Sequence, residues 1–215
     1  MSKKLILLDA YALIYRAHFA FIKNPRVNSK GLNTSAIFGF CNSLLEVTNK
    51  FDPSHIGVVF DPPGGSDREG VFADYKANRQ EMPEDIRKAI PYIFDLLKAM
   101  NIKVEMEGGF EADDVIGTLA KQAEKKGFET YMMTPDKDFA QLVSPNIFMY
   151  RPSRQGNGIE IWGVDEVKEK FEVDRPEQVI DYLGMMGDSV DNIPGLPGVG
   201  DLSLIHISEP TRHVD

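Results

Sequence analysis

Leu5-Ile6-Leu7-Leu8-Asp9 places four large aliphatic residues in a row and ends them on a carboxylate. A run that is apolar on both faces suits a central strand of a parallel sheet, which helices cover on both sides. The pattern returns in His55–Phe60, which contains Ile56-Gly57-Val58-Val59 and is followed by Asp61. It is weaker in Val104–Met106, and it recurs in Thr130–Thr134 just ahead of Asp136. Between these runs, Thr34–Lys50, Pro83–Met100 and Glu111–Lys126 carry apolar residues at three- and four-residue spacing and are read as helices. Pro91 should kink or break the second of them. Strands alternating with helices predict an α/β fold with a largely parallel sheet.

The rest of the chain fits one such domain and the start of another. Its 215 residues are 42% hydrophobic and 27% charged, which is globular composition. No run of 18 apolar residues exists, and Met1–Lys4 leads directly into the first strand, so neither a membrane span nor a signal peptide is expected. Cys41 is the single cysteine, which excludes an internal disulfide and a cysteine zinc cluster and fits a reducing cytoplasm. Ile22–Gly31 and Pro62–Pro83 are polar and long for connections, the kind of loop that serves function. After Trp162 the texture changes to short helices, Val164–Phe171 and Pro176–Met186, then the turn-rich Asp191–Gly200, and a boundary is placed near residue 165.

Ligands of open α/β sheets bind outside the carboxyl ends of the strands. Asp9 and Asp61 follow two strands there, Asp136 and Asp138 a third; Glu111, Asp113 and Asp114 open a helix, and Asp188 and Asp191 precede the glycine hairpin. Each has an ordinary reading alone: a turn former, an Asx turn, or acids favoured by a helix dipole. Nine acids from five segments at one edge are a different matter, because charges that close need cations to neutralise them. All-oxygen ligands select hard ions, Mg²⁺ or Mn²⁺, and this number suggests two. Removing nine of the 33 acids leaves 24, equal to the lysines and arginines, so the net charge of −9 resides in this set and does not exclude a phosphate-bearing substrate. Histidine-based and Ser/His/Asp catalysis find no support, since no histidine adjoins these acids and no Gly-x-Ser-x-Gly elbow is present.

In the long loop, Tyr75, Lys76 and Arg79 combine an aromatic ring with two cations. If Tyr75–Arg79 is helical, Tyr75 and Arg79 share a face suited to a single strand; the alternative packs Tyr75 into the core. Arg16, seven residues after Asp9, is a further candidate for a phosphate or a surface acid. Gly195, Gly198 and Gly200 suit backbone amides offered to a phosphate, a weak signal by itself.

Six blocks, LLDAYALIYRAHFA, VVFDPPGGSDRE, DYKANRQEMPEDI, GFEADDVIGTLA, TPDKDFAQLVS and GMMGDSVDNIPGLPGVG, together resemble the N-terminal 5′→3′ exonuclease domain of bacterial DNA polymerase I, in the flap endonuclease superfamily. The resemblance implies a resolvase- or PIN-like core over 1–165 with a helical arch, followed by a truncated helix–hairpin–helix module over 166–201. It implies that the nine acids bind metal, that Tyr75, Lys76 and Arg79 on the arch steer the scissile phosphodiester, and that the Gly195–Gly200 hairpin grips duplex backbone and holds K⁺. It further implies DNA with a 5′ flap, nick or RNA primer as substrate, a polymerase domain following in the natural chain, and a place at the bacterial nucleoid. Of two rivals, a haloacid-dehalogenase-like phosphatase needs a second Asp where Tyr11 stands, and a non-catalytic DNA-binding module requires a missing acid.

Leu202–Arg212, LSLIHISEPTR, resembles a translated transposase sequencing adapter, codon for codon over all eleven residues. Residues 202–215 are therefore expected to be a non-native tail. Deleting them should leave melting temperature and cleavage nearly unchanged, whereas a loss of several kcal/mol would mean that the tail makes real core contacts.

Overall fold

The computed structural model describes residues 3–152 and 158–200, so the expectation for residues 202–215 lies outside the described residues. Six strands, β1 (Lys3–Asp9), β2 (His55–Val59), β3 (Lys103–Glu105), β4 (Phe128–Met133), β5 (Ile147–Pro152) and β6 (Ile159–Trp162), form one sheet in the order β3-β2-β1-β4-β5-β6. All neighbours pair parallel except the antiparallel β5–β6 edge. β1 lies inside the sheet, and Ile6, Leu7 and Leu8 are all buried, which is why its sequence is apolar without alternation.

Helices cover both faces. On one, α1 (Ala10–Ala20), α2 (Ser35–Phe51) and α4 (Glu84–Ala99) bury Ile14, Phe40, Leu44, Ile86, Ile93 and Leu97 against Ile6 and Leu8. On the other, α5 (Ala112–Lys125), the 3₁₀ helix Lys137–Leu142, α6 (Val164–Phe171) and α7 (Val179–Met186) bury Ile116, Phe139, Val167 and Val179 with Leu7 and Val59. Packing is thus continuous across residue 165. One four-residue helix, α3 (Arg68–Val71), lies in the long loop.

The three long helices form where apolar spacing places them, within two residues at each end. Pro91 does not break its helix: Glu84–Ala99 is continuous. Pro91 and Arg87, whose carbonyl loses its amide partner, both lie on the exposed face, where water replaces the bond, while Ile86, Ala89, Ile93 and Leu97 anchor the helix to the core. Residues 10–20, unassigned by periodicity, form α1, and Asp9 caps it by accepting from the Ala12 N–H at 3.2 Å. Among the described residues no helix is long and apolar enough to cross a membrane.

Candidate active site

Because β1 sits inside the sheet with β2 on one side and β4 on the other, the chain leaves it in opposite directions, and a crevice opens at the strands' carboxyl ends. A cavity of about 670 Å³ occupies it. Asp9, Asp61, Glu111, Asp113, Asp136, Asp138 and Asp191 line this cavity, together with Tyr11, Tyr15, Phe19, Lys76 and Arg79.

Local structure fixes each acid. Asp61 Oδ1 accepts the Ala112 N–H at 2.7 Å, so this carboxylate lies at the N-terminus of α5. Asp9 accepts the Thr134 hydroxyl at 3.0 Å as well as the Ala12 amide. Asp136 accepts the Asp138 N–H at 3.0 Å, and Asp113 accepts the Asp114 N–H at 2.9 Å. Burial, reinforced by Asp61 and Asp136, pushes the Asp9 carboxyl up to about 7 despite its two hydrogen bonds. Burial, with Asp136, Asp188 and Asp191 adding to it, pushes Asp138 up to about 6. Asp113 is raised as well, by burial first and then by Asp114 and Glu111 against Arg68.

Two of the nine acids face elsewhere. Asp114 accepts the Glu111 N–H at 3.1 Å in a capping box and pairs with Arg68 at 2.6 Å. Asp188 turns to its own loop, where Oδ1 accepts from Val190 and Asp191 amides at 2.7 and 3.3 Å. Neither lines the cavity, although Asp188 is close enough to raise Asp138.

The loop between β2 and α4 folds down over the acids. Tyr75–Arg79 is a run of turns, not a helix, and Lys76 adopts φ 56°. A left-handed lysine costs about 1–2 kcal/mol, and tertiary contacts hold it there. The Lys76 N–H donates to the Asp191 carbonyl at 2.9 Å, and its ammonium donates to Glu111 at 2.7 Å. Arg79 pairs with Asp191 at 2.6 Å, and Arg68 with Glu111 at 2.6 Å. Tyr75 is 8% exposed and donates to Glu111 at 3.0 Å, so it packs against the site instead of presenting a free stacking face. Glu111 lies below its ordinary value: burial alone would raise it, but donors from Lys76, Ser66 and Tyr75 outweigh burial. These contacts span 35 to 115 residues of sequence, which is why periodicity could not have revealed them.

Arg16 is exposed on α1 and is not among the cavity's lining residues. Gly195 serves packing: a Cβ there would lie 2.2 Å from the Met186 carbonyl oxygen, and the next amide, Leu196 N–H, donates to Met185 at 2.8 Å. Gly198 has φ 80°, which a side chain would strain. A Cβ on Gly200 would meet nothing within 4 Å. Arg68 and Ser66, which donate to Glu111, and Thr134, which donates to Asp9, hold acids of the candidate site and were not marked by the sequence. Arg68 sits inside the quoted Asp61 block, and Thr134 opens the Asp136 block, but nothing in their spacing marked them.

The family described as the 5′-3′ exonuclease, N-terminal resolvase-like domain matches residues 4–172. The chain is 40% identical over 205 residues to a 5′-3′ exonuclease of Aquifex aeolicus, covering 95% of this chain and 68% of that protein. It is 42% identical over 207 residues to DNA polymerase I of Bacillus subtilis, covering 95% of this chain but spanning only 23% of the polymerase. The zinc-bound structure of T5 5′-exonuclease superposes with a TM-score of 0.77 at 20% identity, over 95% of this chain and 74% of the other, which shows a shared fold. With the acid-lined crevice of a mostly parallel sheet and a family match over most of its length, this chain belongs to the 5′-3′ exonuclease family, as its N-terminal resolvase-like domain.

Proposed function

We propose that the chain is a divalent-metal-dependent 5′→3′ exonuclease and structure-specific 5′-flap endonuclease, hydrolysing phosphodiesters of DNA and of RNA primers. The observation that carries this is the meeting of seven of the nine acids, from five segments, in one cavity. Their fit to hard cations rests on an all-oxygen donor set and on Asp138 Oδ1, which is buried in the site with no hydrogen-bond donor. Among the described residues no three of these groups are gathered into a ready cage; Lys76, Arg68 and Arg79 neutralise them instead. Two Mg²⁺ or Mn²⁺ ions would supply an activated water and offset the charge developing on the displaced oxygen. Asp9, Asp61, Asp113, Asp136 and Asp138 would hold them, with Glu111 and Asp191 once released from their cations.

Lys76 and Arg79 then become the groups that meet the scissile phosphate. Arg79→Ala should lower kcat by about 10–100-fold while flap affinity changes less. Single-turnover rates and fluorescence anisotropy separate the two; an equal fall in affinity and kcat/KM with kcat unchanged would remove Arg79 from the chemistry. Lys76→Met should also slow turnover, yet bind Mn²⁺ about tenfold more tightly, because Glu111 loses its internal counter-charge. Unchanged or weaker Mn²⁺ binding in a titration would count against that competition.

We place the Gly195–Gly200 hairpin, with K⁺, against the duplex backbone, and the protein at the bacterial nucleoid. The deciding experiment is cleavage of flap, nicked and single-stranded substrates with and without divalent metal. Absence of metal-dependent cleavage on all three defeats the reading.

A further inference from the structure

Thr134 is 0% exposed at the end of β4, beside Asp9 at the end of β1. The two strands pair in parallel up to Leu8 and Met133, so Asp9 and Thr134 are the next residues in that register. The hydroxyl makes two hydrogen bonds. It accepts the Asp136 N–H at 3.2 Å and donates to Asp9 Oδ2 at 3.0 Å. With an amide already directed at the oxygen, the hydroxyl's single proton goes to the carboxylate.

That bond completes a chain. Asp9 Oδ1 is held by the Ala12 amide at the start of α1 and Oδ2 by Thr134, so both oxygens are fixed in one plane. Asp136, tied through its amide to Thr134, accepts the Asp138 amide through Oδ1. One buried hydroxyl thus links the acid at the end of β1 to the two acids after β4, across separate elements of the fold.

We propose that Thr134 is a positioning residue for the metal-binding carboxylates, holding Asp9 and the Asp136–Asp138 turn at the mutual geometry that divalent cations require. The role rests on the metal-dependent reading above. Groups that orient metal ligands from behind commonly change metal affinity by about 10–100-fold when removed. A valine has the same shape as threonine but no hydroxyl, whereas a serine keeps the hydroxyl and loses the methyl. A purely structural β-strand role would therefore favour valine over serine, and the positioning role ranks them in reverse.

The test titrates the full 215-residue chain and its variants with Mn²⁺, followed by electron paramagnetic resonance, alongside thermal melting without metal and flap cleavage. Thr134→Val should weaken Mn²⁺ binding by about 10–100-fold and slow cleavage, while Thr134→Ser stays close to the parent in both. Should Thr134→Val fail to fold, Thr134→Ala gives the same comparison with Ser. Mn²⁺ affinity in the hydroxyl-free variant equal to the parent's, or a loss in Thr134→Ser as large as in the hydroxyl-free variant, overturns the role of Thr134 and leaves the nuclease reading standing. A parent chain that binds no Mn²⁺ overturns both.

Discussion

Asp61→Asn should fold like the parent and lose cleavage by about three orders of magnitude or more, some 4 kcal/mol of transition-state stabilisation. The asparagine carbonyl can still accept the Ala112 N–H that Asp61 Oδ1 accepts at 2.7 Å, so the start of α5 keeps its cap. What disappears is one negative charge in a cavity whose proposed task is to hold divalent cations. Asp113→Asn follows the same logic, because its side-chain oxygen can still accept the Asp114 amide. Preserved melting temperature with lost cleavage separates charge from fold. Undiminished cleavage by either variant in metal-buffered solution would remove that residue from the metal site.

Asp9→Asn should make the metal-free protein more stable at pH 8 while abolishing cleavage. Asp9 has an ordinary value of 3.8 and is pushed to about 7 in the fold, by burial first and by neighbouring carboxylates second. Its native state therefore prefers the protonated form. Below about pH 4 folded and unfolded chains are both protonated and no penalty exists; stability falls as pH rises from there to about 7, and above that the penalty is complete. The displacement corresponds to about 4 kcal/mol, and the lost Thr134 donation takes back about 1–2 kcal/mol. The net gain at pH 8 is about 2–3 kcal/mol, roughly 5–10 °C in melting temperature. At pH 4 the gain should vanish or reverse. Differential scanning calorimetry in chelator at both pH values checks this; an Asn variant equally or less stable at pH 8 would mean that Asp9 is not held at a cost.

Such a cost explains how the site is built. Seven of the nine acids share one crevice, and three cations from the overlying loop, Arg68, Lys76 and Arg79, balance part of their charge. Two of them, Lys76 and Arg79, are the groups proposed to meet the substrate's phosphate. Lys76 is held in a left-handed conformation by contacts to Glu111 and Asp191, so the strain is maintained by the charges it neutralises.

Much of this was legible in the sequence, for a definite reason. Burial on both faces makes Leu5–Leu8 and Ile56–Phe60 continuously apolar, and a carboxylate after such a run must emerge at the sheet's carboxyl edge. That geometry placed Asp9, Asp61, Asp136 and Asp138 together before any contact was known. The 3.6-residue period located α2, α4 and α5 in the same way. It missed α1, whose mostly apolar Ala10–Ala20, interrupted by Arg16 and His18, carries little amphipathic signal, and β5–β6, which are short and lie beside a sheet edge. Only the tertiary structure decided which acids face the cavity. Asp114 is claimed by Arg68 and its own capping box, and Asp188 by the amides of its turn, choices made by rotamers and partners 46 and 2–3 residues away. It also decided that Tyr75 is buried on Glu111, and that Pro91 leaves its helix whole. Local pattern fixes where a side chain is carried; competition among distant charges and donors fixes what it touches.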